Sequence, residues 1–301
     1  MAISTRIIRS KIKAVSNIKK ITKAMELVAA SKMRRAVSRA LGTREYAEAA
    51  LNLLVNISKE RQADHLLLRP GKGGKRLLVL MASDKGLCGG FNVSILRAAR
   101  EYFRKHEGSH EVSAVTVGKR SEKIAKNLGL PIVGTFTHLP DQLKVEDSTG
   151  IARLILDEFK TGVYKKVMLL YTNYVSAIKQ KPILREILPV HADIIRDMIE
   201  AIPAENKPAV VIRPMAQYLF EPDDGEVLAL VLPRLLEMSV YQGLLESFAS
   251  EHSARMVAMK NATDSANELV DELTLTYNNA RQSSITQEIS EIAAGANALS
   301  A

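Results

Sequence analysis

The chain has 301 residues, 47% hydrophobic and 25% charged, a composition suited to a soluble globular fold with its own buried core. Its formal net charge is +9 and its one cysteine, Cys88, excludes an intramolecular disulfide and a cysteine-rich metal site. No metal site is expected from the histidines, because the close pair, His106 and His110, straddles Gly108 instead of sharing a helical face. No apolar run approaches the roughly 18 residues a membrane span requires, and the first residues carry no apolar export signal, so a location inside the cell is expected.

Between Ile3 and Leu41 there is neither glycine nor proline. Apolar residues recur there at Ile8, Ile12, Val15, Ile18, Ile21, Met25 and Val28, in steps of three and four. That rhythm predicts a long helix with a narrow seam of period near 3.5. Met33, Val37 and Leu41 continue it less regularly, and Gly42 marks an interruption before a second helical run from Arg44 to about Ala63. Residues 1–40 carry eleven Lys or Arg against the single acid Glu26, whereas residues 250–301 carry seven acids against Arg255, Lys260 and Arg281. The two ends are therefore electrostatically complementary.

The middle of the chain changes pattern. Arg69-Pro70-Gly71-Lys72-Gly73-Gly74 is a breaker cluster, followed by Leu77 to Met81, an apolar run typical of a strand buried on both faces. Helices are then predicted near Val93 to His106, Ser121 to Asn127 and Ser148 to Lys160. They alternate with strands at Val112 to Val117, Pro131 to Phe136 and Lys166 to Asn173, with an edge-like strand at Ile183 to Val190. This alternation predicts a Rossmann-like open α/β sheet with helices on its faces. Residues 191–222 hold four prolines and read as irregular, with short strands at Val210 to Arg213 and Gln217 to Phe220.

A final helix is predicted from Asp223 or Asp224, with a kink or break at Pro233. Between Leu244 and Ala294 there is no glycine or proline, so this span alone is a helix of roughly 75 Å at the usual rise per residue. Its seam, Leu245, Phe248, Met256, Met259, Ala266, Val270, Leu273, Tyr277 and Ala280, gives way to Gln282, Ser283, Ser284, Thr286 and Gln287. A terminus so polar gains little from permanent burial. Ile285, Ile289 and Ile292 nonetheless call for a surrounding surface, one that slides or exchanges. The fold class is thus α/β plus long helices: an antiparallel coiled coil of N- and C-terminal helices with a central Rossmann-like open sheet. The domain boundaries expected are 1–64, 65–222 and 223–301.

Chemistry is harder to place. Ser83 to Asn92 is a glycine-rich turn after the first strand, where phosphates often bind, but it fits neither G-x-G-x-x-G nor G-x-x-x-x-G-K-[ST]. The glycines before the strand stand at the wrong end for a P-loop. Asp84 and Lys85 form a candidate catalytic pair, with a capped helix start as the simpler reading. The basic first helix interleaves Lys11, Lys13, Lys19, Lys20 and Lys23 with its seam, unlike a basic zipper, and has no aromatic before Tyr46 to sit in a membrane surface. On the residues alone, three classes stand: a protein that binds a partner with an acidic surface, an α/β nucleotide-binding enzyme, and a coiled-coil nucleic-acid-binding protein.

The stretch Ile285 to Ala298, ITQEISEIAAGANA, resembles the signature of the γ subunits of F-type ATP synthases. Ile21 to Met33, Ser83 to Asn92, Tyr218 to Pro222 and Ala254 to Lys260 are similar to other motifs of that family. The resemblance implies a rotor shaft with no catalytic residue and no cofactor, metal or small-molecule site of its own. It implies that the coiled coil stands in a ring of three α and three β subunits, with ε and the membrane c ring at the foot. Matched residue by residue, Met25, Arg255, Arg281, Gln282, Thr286 and Glu288 would face β, and Tyr218, Phe220 and Glu221 would lie near the c ring. The implied place is the cytoplasmic face of a bacterial inner membrane, peripheral and without nucleic acid. The sequence lacks the cysteine-containing insertion of the chloroplast form.

Overall fold

The structure, a computed structural model, describes residues 5–43, 49, 65–105, 111–190 and 224–299. The chain divides into two compact units, one of Met1–Val28 with Met256–Ala301 and the other Ala29–Arg255. Two helices contribute to both: α1, Thr5–Gly42, and a last helix, Asp224–Leu299, called α5 below.

In the larger unit a five-stranded sheet has the order β3-β2-β1-β4-β5. Its strands are β1 (Lys75–Met81), β2 (Val112–Val117), β3 (Ile132–Phe136), β4 (Tyr164–Tyr174) and β5 (Gln180–Leu188). The first four are parallel, and β5 runs antiparallel on the edge beside β4. Three helices connect them: α2 (Phe91–Lys105), α3 (Lys119–Asn127) and α4 (Glu146–Lys160). These elements fall within a few residues of the predicted ones, and the expected edge-like strand is β5. Pro182, which cannot donate to a ladder, is tolerated there because the strand is at the edge.

Strand β1 lies between β2 and β4, so every residue from Leu77 to Met81 is buried. The pleat sends Leu77, Val79 and Met81 into one core with α4 and α5, and Leu78 and Leu80 into a second core with α2 and α3. Helix α5 comes close to the sheet at Gly243, where a Cβ would stand 2.6 Å from a methyl of Leu169. At Gly118, ahead of α3, φ is +90° and a Cβ would lie 2.0 Å from the carbonyl oxygen of Ala82, so only glycine fits.

Helix α5 continues through Pro233 and does not end there. By length and composition it could cross a membrane, contrary to the reading from apolar runs, but 61% of its most apolar stretch is buried within the protein. The second helical run expected over 44–63 lies outside the described residues apart from Ala49, which is helical. The irregular stretch 191–222 with its two short strands also lies outside them.

Candidate functional site

The smaller unit is a helix pair. Along α5 a line of less exposed positions, Met256, Met259, Thr263, Ala266, Val270, Leu273, Tyr277 and Ala280, runs in alternating steps of three and four, the predicted seam with Thr263 added. Along α1 they are Thr5, Ile8, Ile12, Val15 with Ser16, Thr22, and Met25 with Glu26. Thr263 Oγ1 stands 2.8 Å from Thr22 Oγ1, both buried. From Thr22 back to Thr5 is seventeen residues, and from Thr263 on to Ala280 is also seventeen. In an antiparallel pair those ends lie level, with Ile12 beside Leu273 and Val15 beside Val270. The exposure pattern agrees: after Ala280 every residue from Arg281 to Ala296 is exposed. The last turns of α5 thus form a single helix.

The seam of α1 departs from the predicted one after Val15. Ile18, Ile21 and Val28 are 53%, 59% and 54% exposed, and the buried line runs instead through Thr22 and on to Ala29, Ala36 and Ala40. Thr22, Ala29 and Ala36 keep the heptad spacing set by Ile8 and Val15. Ile18, Ile21 and Val28 therefore form a second, outward stripe with Ile7, and Leu27 is exposed on another side of the helix. The signal that could have found this was the small-residue rhythm, which hydrophobicity alone ranks low. On the exposed end of α5, Ile285, Ile289 and Ile292 form a comparable outward stripe. Lys19, Lys20 and Lys23 of α1 line an open groove with Thr263, Asp264 and Asn267 of α5, where the complementary charges of the two ends meet.

The residues matched to β contacts fall into three groups. Arg281, Gln282, Thr286 and Glu288 are exposed on the unpaired end of α5, around the Ile285 stripe. Met25 is half-buried on α1. Arg255 is buried inside the larger unit, where its guanidinium donates to Glu251 Oε1 at 2.6 Å and to the Gly86 carbonyl at 3.3 and 3.4 Å. Burial raises the Glu251 carboxyl above its usual value, and the adjacent Arg255 opposes that shift. Arg255 Nη1 also meets His252 Nδ1 at 3.1 Å. Arginine has no acceptor, so Nδ1 accepts and the ring proton sits on Nε2. Burial first, then Arg255, push His252 down to about 3, and it stays neutral. Tyr218, Phe220 and Glu221 lie outside the described residues.

The glycine-rich turn is tied up internally. Asn92 Oδ1 accepts from the Ser83 amide at 3.2 Å, and Ser83 Oγ donates to the Lys85 carbonyl at 2.7 Å. Asp84 accepts from the Lys119 amide at the start of α3 and from the His138 amide after β3, each at 3.0 Å. The carboxylate therefore sits where a phosphate would otherwise meet that helix terminus. It caps α3 and joins three strand ends, a cap on a distant helix and not on its own.

A sequence model of the family described as ATP synthase matches residues 4–299. The ATP synthase gamma chain of Roseiflexus castenholzii is 40% identical over 301 residues, covering 98% of each chain. That of Dehalococcoides mccartyi is also 40% identical, over 297 residues and 98% of each chain. The chain belongs to the ATP synthase gamma-chain family. Gamma chains are the central-stalk subunit, non-catalytic, with the catalytic sites on the beta subunits. Among solved structures, a central-stalk and c-ring assembly of Tetrahymena thermophila mitochondrial ATP synthase contains a chain 25% identical, with a TM-score of 0.58 over 80% of this chain and 99% of that one. A Euglena gracilis mitochondrial ATP synthase structure has a chain of the same fold, 19% identical, with a TM-score of 0.65 over 98% and 94%. An antiparallel helix pair with a mixed sheet is thus the gamma-chain fold, and membership places the chain in a membrane-associated complex.

Proposed function

We propose that this gamma chain is the shaft through which ion flow in a membrane c ring drives ATP synthesis or hydrolysis in a ring of three α and three β subunits. The observation that carries the reading is the unpaired end of α5, exposed from Arg281 to Ala296 with an isoleucine stripe along it. An isolated helix with outward Ile285, Ile289 and Ile292 gains most of its stability from packing on something else. A surrounding ring supplies that packing, and the stripe of Ile18, Ile21 and Val28 extends the same outward apolar character along α1.

The polar residues on the end of α5, Arg281, Gln282, Thr286 and Glu288, then make exchangeable contacts with successive β subunits, with Met25 facing β farther along. Rotation biases each catalytic site because the shaft offers it a different face, which is the differential interaction any conformational drive requires. Arg255 serves this function from inside the chain, by holding α5 against the turn after β1. Tyr218, Phe220 and Glu221 belong to the foot, near ε and the c ring, on the cytoplasmic face of a bacterial inner membrane. No nucleic acid or small-molecule ligand takes part.

The test is reconstitution. Purified chain mixed with α and β subunits is expected to co-elute as one complex on size exclusion, and Met25→Lys is expected to lower ATP-driven ion pumping more than assembly. If the α and β subunits form their ring and leave this chain behind, the reading fails.

A further inference from the structure

The loop from His138 to Val145, between β3 and α4, touches both long helices within the larger unit. Its start is fixed by the bond from the His138 amide to Asp84, and its end by the Lys144 amide on Asp147 at 2.7 Å. Between these points Asp141 pairs with Lys32 of α1 at 2.6 Å. Arg39 of α1 donates to the Leu143 carbonyl at 2.6 Å and to Gln142 Oε1 at 3.3 Å. The same Leu143 carbonyl accepts the Tyr241 hydroxyl of α5 at 3.2 Å. Both lone pairs of one carbonyl are thus taken, one by each helix. The Leu143 side chain is 2% exposed in the core, so the carbonyl cannot swing away.

Beyond these, Met33 Sδ of α1 lies 3.7 Å from the Tyr174 hydroxyl and Thr43, just past the helix, donates to Gln242 Oε1 at 2.5 Å, but the fully buried face of α1 is smooth. Its buried line is Ala29, Ala36 and Ala40, side chains too short to interlock with their neighbours. Such a surface packs closely but resists rotation about the helix axis poorly. Lys32 and Arg39 are seven residues apart, which places them within about 20° of one another around the helix. Both therefore hold the same side of α1 to one loop.

We infer that the loop 138–145 is the joint that fixes the angle of α1 on the sheet unit, with Lys32 and Arg39 as positioning residues for torque. This rests on the rotor reading above. Within the larger unit, load carried by α1 then crosses the Lys32–Asp141 and Arg39–Leu143 contacts, and Tyr241 ties α5 to the same carbonyl.

The test uses the chain assembled with its α and β subunits, the ring fixed to a surface and a bead attached through Lys123→Cys on the exposed face of α3. Lys32→Ala with Arg39→Ala is expected to keep ATP hydrolysis and unloaded rotation but to lower torsional stiffness severalfold. Arg39→Lys, which keeps one donor nitrogen in place of two, should fall between. A chain with Arg39→Ala, Lys32→Cys and Asp141→Cys should be soft when reduced and regain stiffness when a short bis-maleimide links the two thiols. Unchanged stiffness in the double variant, or a link that restores nothing, overturns the joint. If the alanine pair fails to assemble, Lys32→Gln and Arg39→Lys separately must each show partial softening, or the joint is equally overturned. Failure of the unsubstituted chain to rotate at all sinks the rotor reading instead, a result readily told apart from the others.

Discussion

Thr22 and Thr263 bring their hydroxyls to 2.8 Å across the helix pair, each also within reach of its own helix backbone. Thr22 Oγ1 lies 3.0 Å from the Lys19 carbonyl and Thr263 Oγ1 lies 2.8 Å from the Met259 carbonyl. Two hydroxyl protons cannot serve three acceptors, so one contact is always unmade. Thr22→Val or Thr263→Val alone should cost about 1 kcal/mol, while the double valine variant should cost less than the sum, because removing both partners leaves no orphan. Urea unfolding of the four chains measures the coupling. Strict additivity would show that the pair does not interact.

Glu246 is 1% exposed on α5, accepting from Gln242 at 2.9 Å, with Tyr171 of β4 and Arg185 of β5 as its electrostatic neighbours. Burial raises its carboxyl from 4.5 to about 7. The folded protein holds this proton more tightly than the unfolded chain, so the linked stability is present at low pH. It is lost as pH rises from about 4.5 to about 7, and no further change follows above that. The full difference is on the order of 3 kcal/mol. Glu246→Gln should therefore raise Tm above pH 7 and leave it little changed near pH 4.5. A wild-type minus variant difference that is flat with pH would rule this out.

The Glu251–Arg255 pair is buried on both sides, with side chains 12% and 9% exposed. Removing Arg255 leaves a carboxylate without its counter-charge, and Arg255→Ala should cost about 3–5 kcal/mol. Glu251→Gln with Arg255→Gln should cost less, since no uncompensated charge remains. Chemical denaturation decides between these, and equal losses would argue that the pair is held by packing alone.

Ile285→Ser and Ile289→Ser change exposed side chains on the end of α5 that is unpaired among the described residues. Stability of the isolated chain should stay within about 0.5 kcal/mol of the parent. Retention by α and β subunits should drop, read as a faster loss of the chain during gel filtration. Equal retention would remove the isoleucine stripe from the proposed contact.

Most of the sheet unit was readable from residue order. Leu77 to Met81 is apolar without interruption because β1 is covered on both faces, and Gly129 and the Pro70 to Gly74 cluster mark where elements stop. The end of the α5 seam at Ala280 was also legible, since Gln282 and Ser283 break the rhythm there. The site was less so. Arg255 looks like any surface arginine in sequence, and only the fold brings it to the Gly86 carbonyl, 169 positions away.

Sequence by itself determined that α1 and α5 are long helices and that each carries an apolar periodicity, because backbone propensity and the absence of glycine and proline are local properties. Which stripe of α1 faces its partner was a tertiary decision. Ile18, Ile21 and Val28 bury more area than Thr22 and Ala29 wherever they pack, but two helices approach closely only where side chains are small. The alanines therefore took the inside of the larger unit, Thr22 joined Ile8, Ile12 and Val15 in the seam, and Ile18, Ile21 and Val28 were left outward.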